Sequence, residues 1–99
     1  MIRGTTPTHV FETDVDLTGA EALYVTYKQG GVVVEKTLED CAVTAESVTV
    51  ELTQAETLLF QAAGFRAQVQ LRVKFPDGSA LASNIIPVDV SPILKQGEI

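Results

Sequence analysis

Glu12, Asp14 and Asp16 stand at alternate positions, and carboxylates at that spacing can open a calcium loop by offering oxygen ligands to one hard cation. The rest of such a loop does not follow. Its sixth position, where a sharp turn needs glycine, is Leu17, and its twelfth, where a bidentate glutamate belongs, is Leu23. On an extended strand the three carboxylates would simply share a solvent face. A nucleophile and its base could come from Cys41 and His9, the sole thiol and the sole imidazole. Neither lies in a nucleophile motif, and a single cysteine after a charged corner is expected to pack as a small core residue.

Tyr24 and Tyr27 fall on opposite faces of one strand by parity, so they cannot together form an aromatic platform for a sugar, and tryptophan is absent. Phe11, Phe60, Phe65 and Phe75 fall where core positions are expected. The seven glycines are scattered, with no phosphate-cradling loop and no Gly-x-Ser-x-Gly elbow. The residues therefore predict no catalytic group, no cofactor-binding group and no metal ligand. The protein reads as a non-enzyme, with a small carbohydrate-binding or calcium-binding module as the alternative.

The elements that would position these groups are strands. From Phe65 to Phe75, Phe65, Ala67, Val69, Leu71, Val73 and Phe75 alternate with Arg66, Gln68, Gln70, Arg72 and Lys74, a period of two that puts one face on a core and one in water. Pro76-Asp77-Gly78-Ser79 is a turn sequence, which makes Ala80 to Val90 the hairpin partner. The partner changes phase at the adjacent Ile85 and Ile86, so a bulge is expected near Asn84 to Ile86, and Pro87 belongs on an edge or in that bulge.

Leu23, Val25 and Tyr27 alternate in the same way, and Gly30-Gly31 separate that strand from one running from Val32 to Thr37. A corner at Glu39-Asp40 leads to a short strand at Cys41-Ala42-Val43, a turn at Glu46-Ser47 and a half-buried strand at Val48, Val50 and Leu52. Thr53-Gln54-Ala55-Glu56 has capping-box spacing and opens a short helical turn near residues 53–61, which should drop Leu58 or Leu59 onto the core. Thr8 to Phe11 is a first strand and Leu17-Thr18-Gly19 a loop. The sum is an all-β, immunoglobulin-like antiparallel sandwich of about seven strands, with a small barrel as the other architecture the pattern allows.

Ninety-nine residues fit one domain, 1–99, with residues 95–99 as a tail. The composition, 45% hydrophobic and 20% charged, is that of a globular chain. Thirteen acidic against seven basic residues give a net charge of −6, which repels phosphate backbones and anionic lipid and argues against nucleic acid or membrane as partners. A lone cysteine makes an intrachain disulfide impossible and fits a reducing compartment. No apolar stretch follows Arg3 and no later run could span a bilayer, so the expected place of synthesis is the cytosol.

Met1-Ile2-Arg3-Gly4-Thr5-Thr6-Pro7-Thr8, Tyr24-Val25-Thr26-Tyr27-Lys28-Gln29, Glu35-Lys36-Thr37-Leu38-Glu39-Asp40-Cys41 and Leu52-Thr53-Gln54-Ala55-Glu56-Thr57-Leu58 carry a resemblance, which extends to Ala82-Ser83-Asn84-Ile85-Ile86 and Ile93-Leu94-Lys95-Gln96-Gly97-Glu98-Ile99. Over nearly its whole length the chain resembles small proteins of Gram-positive prophages, similar to the N-terminal immunoglobulin-like domain of phage baseplate upper proteins. The resemblance implies a structural or adaptor role in the tail or baseplate, location in the virion, and other virion proteins or its own copies as partners. It transfers no catalytic residue. The stalk and receptor-binding regions of larger baseplate proteins have no counterpart in these residues. The polar face from Arg66 to Lys74 reads first as a solvated surface, since exposed strand faces are usually polar, with an interface as the alternative.

Overall fold

The computed structural model describes residues 1–99. Eight strands form: β1 (Thr8–Glu12), β2 (Ala22–Gln29), β3 (Val32–Thr37), β4 (Cys41–Val43), β5 (Ser47–Glu51), β6 (Ala67–Lys74), β7 (Ala80–Ala82) and β8 (Ile86–Val88). One short helix, α1 (Gln54–Leu58), and a 3-10 turn at Leu38–Asp40 interrupt them. The strands make two antiparallel sheets, β1-β5-β4 and β3-β2-β6 with both β7 and β8 along the far edge of β6. This order is that of an immunoglobulin-like sandwich, a B-E-D sheet packed on a C′-C-F-G sheet. In that fold a further strand borders the position of β1. Here Ile2 makes only an isolated parallel bridge, to Ser91.

Period two sets the core. Leu23, Val25, Tyr27, Ala67, Val69, Leu71 and Val73 from the large sheet meet Val48 and Val50 from the small one, all buried, with Leu17, Leu52 and Phe60 closing the ends. Each large apolar side chain so buried contributes roughly 1.5–3 kcal/mol. The β2–β3 hairpin turns on Gly30-Gly31, and Gly30 takes φ +58°, a left-handed value that a side chain would resist. At the β6–β7 turn Gly78 takes φ +91°, and Phe75 and Ser79 close the loop by an N–H···O bond of 2.9 Å.

The partner of β6 is split where the apolar phase changes. Arg72 pairs with Ala82 and Val69 with Ile86, so Gln70 and Leu71 face Ser83, Asn84 and Ile85, one residue too many. Ser83 repairs the ladder: its N–H donates to the Leu71 carbonyl at 2.8 Å, and its hydroxyl accepts from the Leu71 N–H at 3.0 Å. The bulge makes the strands eight rather than about seven. Pro87, which has no N–H for a ladder, sits in β8 at the sheet edge.

The capping box at Thr53 forms as spaced. Thr53 Oγ1 accepts from the Glu56 N–H at 3.2 Å and the Glu56 carboxylate accepts from the Thr53 N–H at 2.8 Å. The helix nevertheless buries Thr57, not Leu58 or Leu59, because the Thr57 hydroxyl donates to the carbonyls of Thr5 and Gln54 while Phe60 fills the core end. Arg3 caps the other end, donating to the carbonyls of Phe60 at 2.6 Å and Leu58 at 3.1 Å.

The central strand is shorter than its alternation, Ala67 to Lys74 rather than Phe65 to Phe75. Phe65 is 66% exposed, outside the core position its parity assigned, with its ring against Gly30. It is displaced by Gln29, whose buried amide donates to the Gln61 and Phe65 carbonyls at 2.9 Å each and accepts from the Gln61 N–H at 2.7 Å. A buried amide satisfied on both sides pins that loop and turns Phe65 out. No helix is long and apolar enough to cross a membrane.

Candidate interaction surface

The groups singled out for chemistry are separated by the fold. His9 and Cys41 both lie opposite Val50, one from β1 and one from β4, so they face the core from either side of β5. Two inter-strand spacings put their backbones about 9–10 Å apart. Cys41 is half-buried against the core, and burial, with the negative charge of Asp40 beside it, pushes its thiol above the ordinary value. His9 Nδ1 lies 2.6 Å from the Tyr27 hydroxyl. Burial, then repulsion from the amine of Met1, lowers the imidazole, while burial, then Cys41 and Glu56, raises the phenol. The neutral forms are therefore the stable ones, and the imidazole and the phenol share one hydrogen bond. The pair ties β1 to β2 across the sandwich.

Of the three spaced carboxylates only Glu12 lies on a strand, which corrects the shared strand face expected for them. Asp16 turns back on its own loop, accepting from the Thr18 N–H at 2.9 Å and hydroxyl at 2.6 Å, bonds that hold its carboxyl below the ordinary range. No three histidine, cysteine or acidic side chains converge as a metal cage would require. Tyr24 and Tyr27 take opposite faces as their parity demands, Tyr24 43% exposed and Tyr27 buried.

On the outer face of the large sheet Arg72 stands opposite Tyr24 and Lys74 opposite Ala22, with Gln70 opposite Thr26 and Gln68 opposite Lys28 farther along β6. At the end of this face Arg66 joins Asp89 at 2.6 Å, and elsewhere Lys36 joins Glu56 at 2.7 Å. The Lys36 pair closes one flank of the sandwich, where the 3-10 turn carries the chain directly from the edge of β3 to the edge of β4.

The opposite flank is open. Between the unpaired edge of β1 and the β7 edge runs a groove of about 640 Å³, floored by Leu17, Leu71 and Val73 and walled by Val10, Phe11, Val15, Leu81 and Ile86. Val10 is 56% exposed, and Val15, Leu81 and Ile86 are exposed as well. Glu12 and Asp14 form its rim, which continues into a second hollow bordered by Glu46. Soluble surfaces rarely gather apolar side chains in one contiguous patch unless something covers it. Sequence pattern did not single out this surface. Its signals were Val15 inside an acidic loop and the phase break at Ile85-Ile86, apolar residues that no strand face accounted for.

No protein-family profile, curated protein or solved structure matches the chain.

Proposed function

We propose that this chain is a non-enzymatic structural or adaptor protein of a bacteriophage, working in the tail or baseplate through contacts with other virion proteins or with its own copies. The observation that carries the reading is the open flank, an apolar groove beside an unpaired strand edge, which is a surface for protein rather than for a polar small molecule. The setting in a prophage and its virion rests on the resemblance of the sequence to baseplate immunoglobulin-like domains. The net charge of −6 agrees with a protein partner, since it disfavours approach to nucleic acid. In this reading the protein is made in the bacterial cytoplasm and carried into the particle. Mass spectrometry of purified, nuclease-treated particles from an induced lysogen tests it. The protein should be present at a fixed ratio to the tail proteins and be lost when Val10 and Leu81 are both replaced by aspartate. Absence from particles overturns the reading.

A further inference from the structure

The groove flank has a complement elsewhere on the same chain. β1 presents five residues of unpaired edge with no proline, lysine or bulge to blunt it, unlike β8 with its Pro87. The groove beside that edge is apolar, and its rim carries Glu12 and Asp14, neither of them in an ion pair. A segment that fits must set an exposed apolar side chain next to a cation.

Leu94 and Lys95 meet that description. Leu94 is fully exposed, and the Lys95 ammonium reaches only the Gln96 carbonyl, at 3.4 Å. Both lie in a stretch without helix or strand. This tail is fastened beside α1: Gln54 exchanges two hydrogen bonds with the Ile99 backbone, and Arg3 reaches Gln96. α1 follows the end of β5 that pairs with Thr8, whereas the acidic rim lies at the end where Glu12 pairs with Ser47. The tail and the rim of one molecule therefore lie towards opposite ends of the β1–β5 ladder.

We propose that the groove receives the tail of a second copy, with Leu94 entering between Val10 and Leu81 and Lys95 meeting Glu12 and Asp14. The contact joins two different surfaces and so runs head to tail, closing into a ring or continuing as a filament according to the rotation between copies. It rests on the reading of the groove as a protein-contact surface and names its occupant.

Sedimentation velocity on the intact chain, from about 1 μM to about 1 mM, reads the association directly. The wild type should form oligomers that weaken with added salt. Lys95→Glu, and separately the double change Glu12→Lys with Asp14→Lys, should each weaken association roughly tenfold or more. These side chains are exposed, so circular dichroism should show both variants folded. An equimolar mixture of the two should associate again, because the reversed tail meets the reversed rim and the unchanged tail meets the unchanged rim. A wild type monomeric throughout, association untouched by either variant, or a mixture that fails to recover would each overturn the proposal. A monomer that is nonetheless present in particles removes the tail contact and leaves the adaptor reading standing. A self-associating protein absent from particles does the reverse.

Discussion

On one flank of the sandwich the edges of β3 and β4 are joined by the chain itself, through the 3-10 turn at Leu38–Asp40, and Lys36 reaches Glu56 in α1 beneath it. On the other, β1 and β7 face each other with nothing between them, and apolar side chains line the gap. Both flanks end the same two sheets. At the first flank the 3-10 turn joins the two edges, and the Asp40 carboxylate accepts from the Thr37 N–H at 2.9 Å; at the second no connection links β1 to β7, and the edge and its apolar border stay available. The first flank serves the fold, and the second is free to serve a partner.

The largest expected effect separates the flanks by one substitution. Leu52 is wholly buried where the small sheet meets α1, and Leu81 is 42% exposed on the groove wall. Leu52→Ala should cost about 3 kcal/mol by loss of transfer energy and the cavity left behind, whereas Leu81→Ala should cost less than about 1 kcal/mol. Urea unfolding of the two variants measures the difference. Equal losses would show the groove wall to be core, and the contrast between the flanks would fail.

An intermediate effect compares the two ion pairs. Lys36 and Glu56 have side chains only 13% and 25% exposed, against 57% and 77% for Arg66 and Asp89. Burial raises the Glu56 carboxyl, but hydrogen bonds from Lys36 and Thr53 outweigh it and hold the group below its ordinary value. Glu56→Gln keeps a capping side chain at the third helical position yet leaves a sheltered ammonium without its charge partner, at a cost of about 1–2 kcal/mol. Arg66→Ala should cost less than about 0.5 kcal/mol, since a solvated pair gains little. If both changes cost the same, the closed flank owes nothing to its ion pair.

How far the sequence determined each flank follows from the same contrast. Strands whose one face is buried announce themselves by period two, so β2, β3, β5 and β6 were legible to within a residue or two, as was the cap at Thr53. The bulge could be read because an extra residue must shift the phase, which Ile85-Ile86 does. Phe65 misled because alternation reports parity, not the point where a strand ends, and the Gln29 amide that ends it is 36 residues away in sequence. Leu58 and Leu59 misled similarly, as hydrophobicity alone ranked them above Thr57, whose hydroxyl has two carbonyls to satisfy. The groove was not legible at all. It arises from which two edges become neighbours, a property of strand order that no local pattern encodes.

The smallest expected effect concerns the one polar tie that β1 makes to the opposite sheet. His9 is held neutral, its pKa lowered from 6.5 by burial and by the nearby amine, with Nδ1 hydrogen-bonded to the Tyr27 hydroxyl. A lowered folded-state value means that the unfolded chain takes up the proton first as pH falls. The tie is therefore fully stabilising above pH 6.5, and that contribution is lost as pH drops from 6.5 through the lower folded value. Protonation leaves Nδ1 a donor only and puts a positive charge in a half-buried site near the Met1 amine, which weakens the hold on β1. The carboxylates that are held low, Asp16, Asp40, Glu56 and Asp77, all titrate below this window and do not confuse it. Melting temperature recorded from pH 7.5 down to pH 5 should fall for the wild type and stay flatter for His9→Asn, whose amide cannot charge. The same slope in both proteins would show that β1 is held by its ladder to β5 alone. A difference would mean that mild acid loosens the strand bordering the groove before it touches the closed flank.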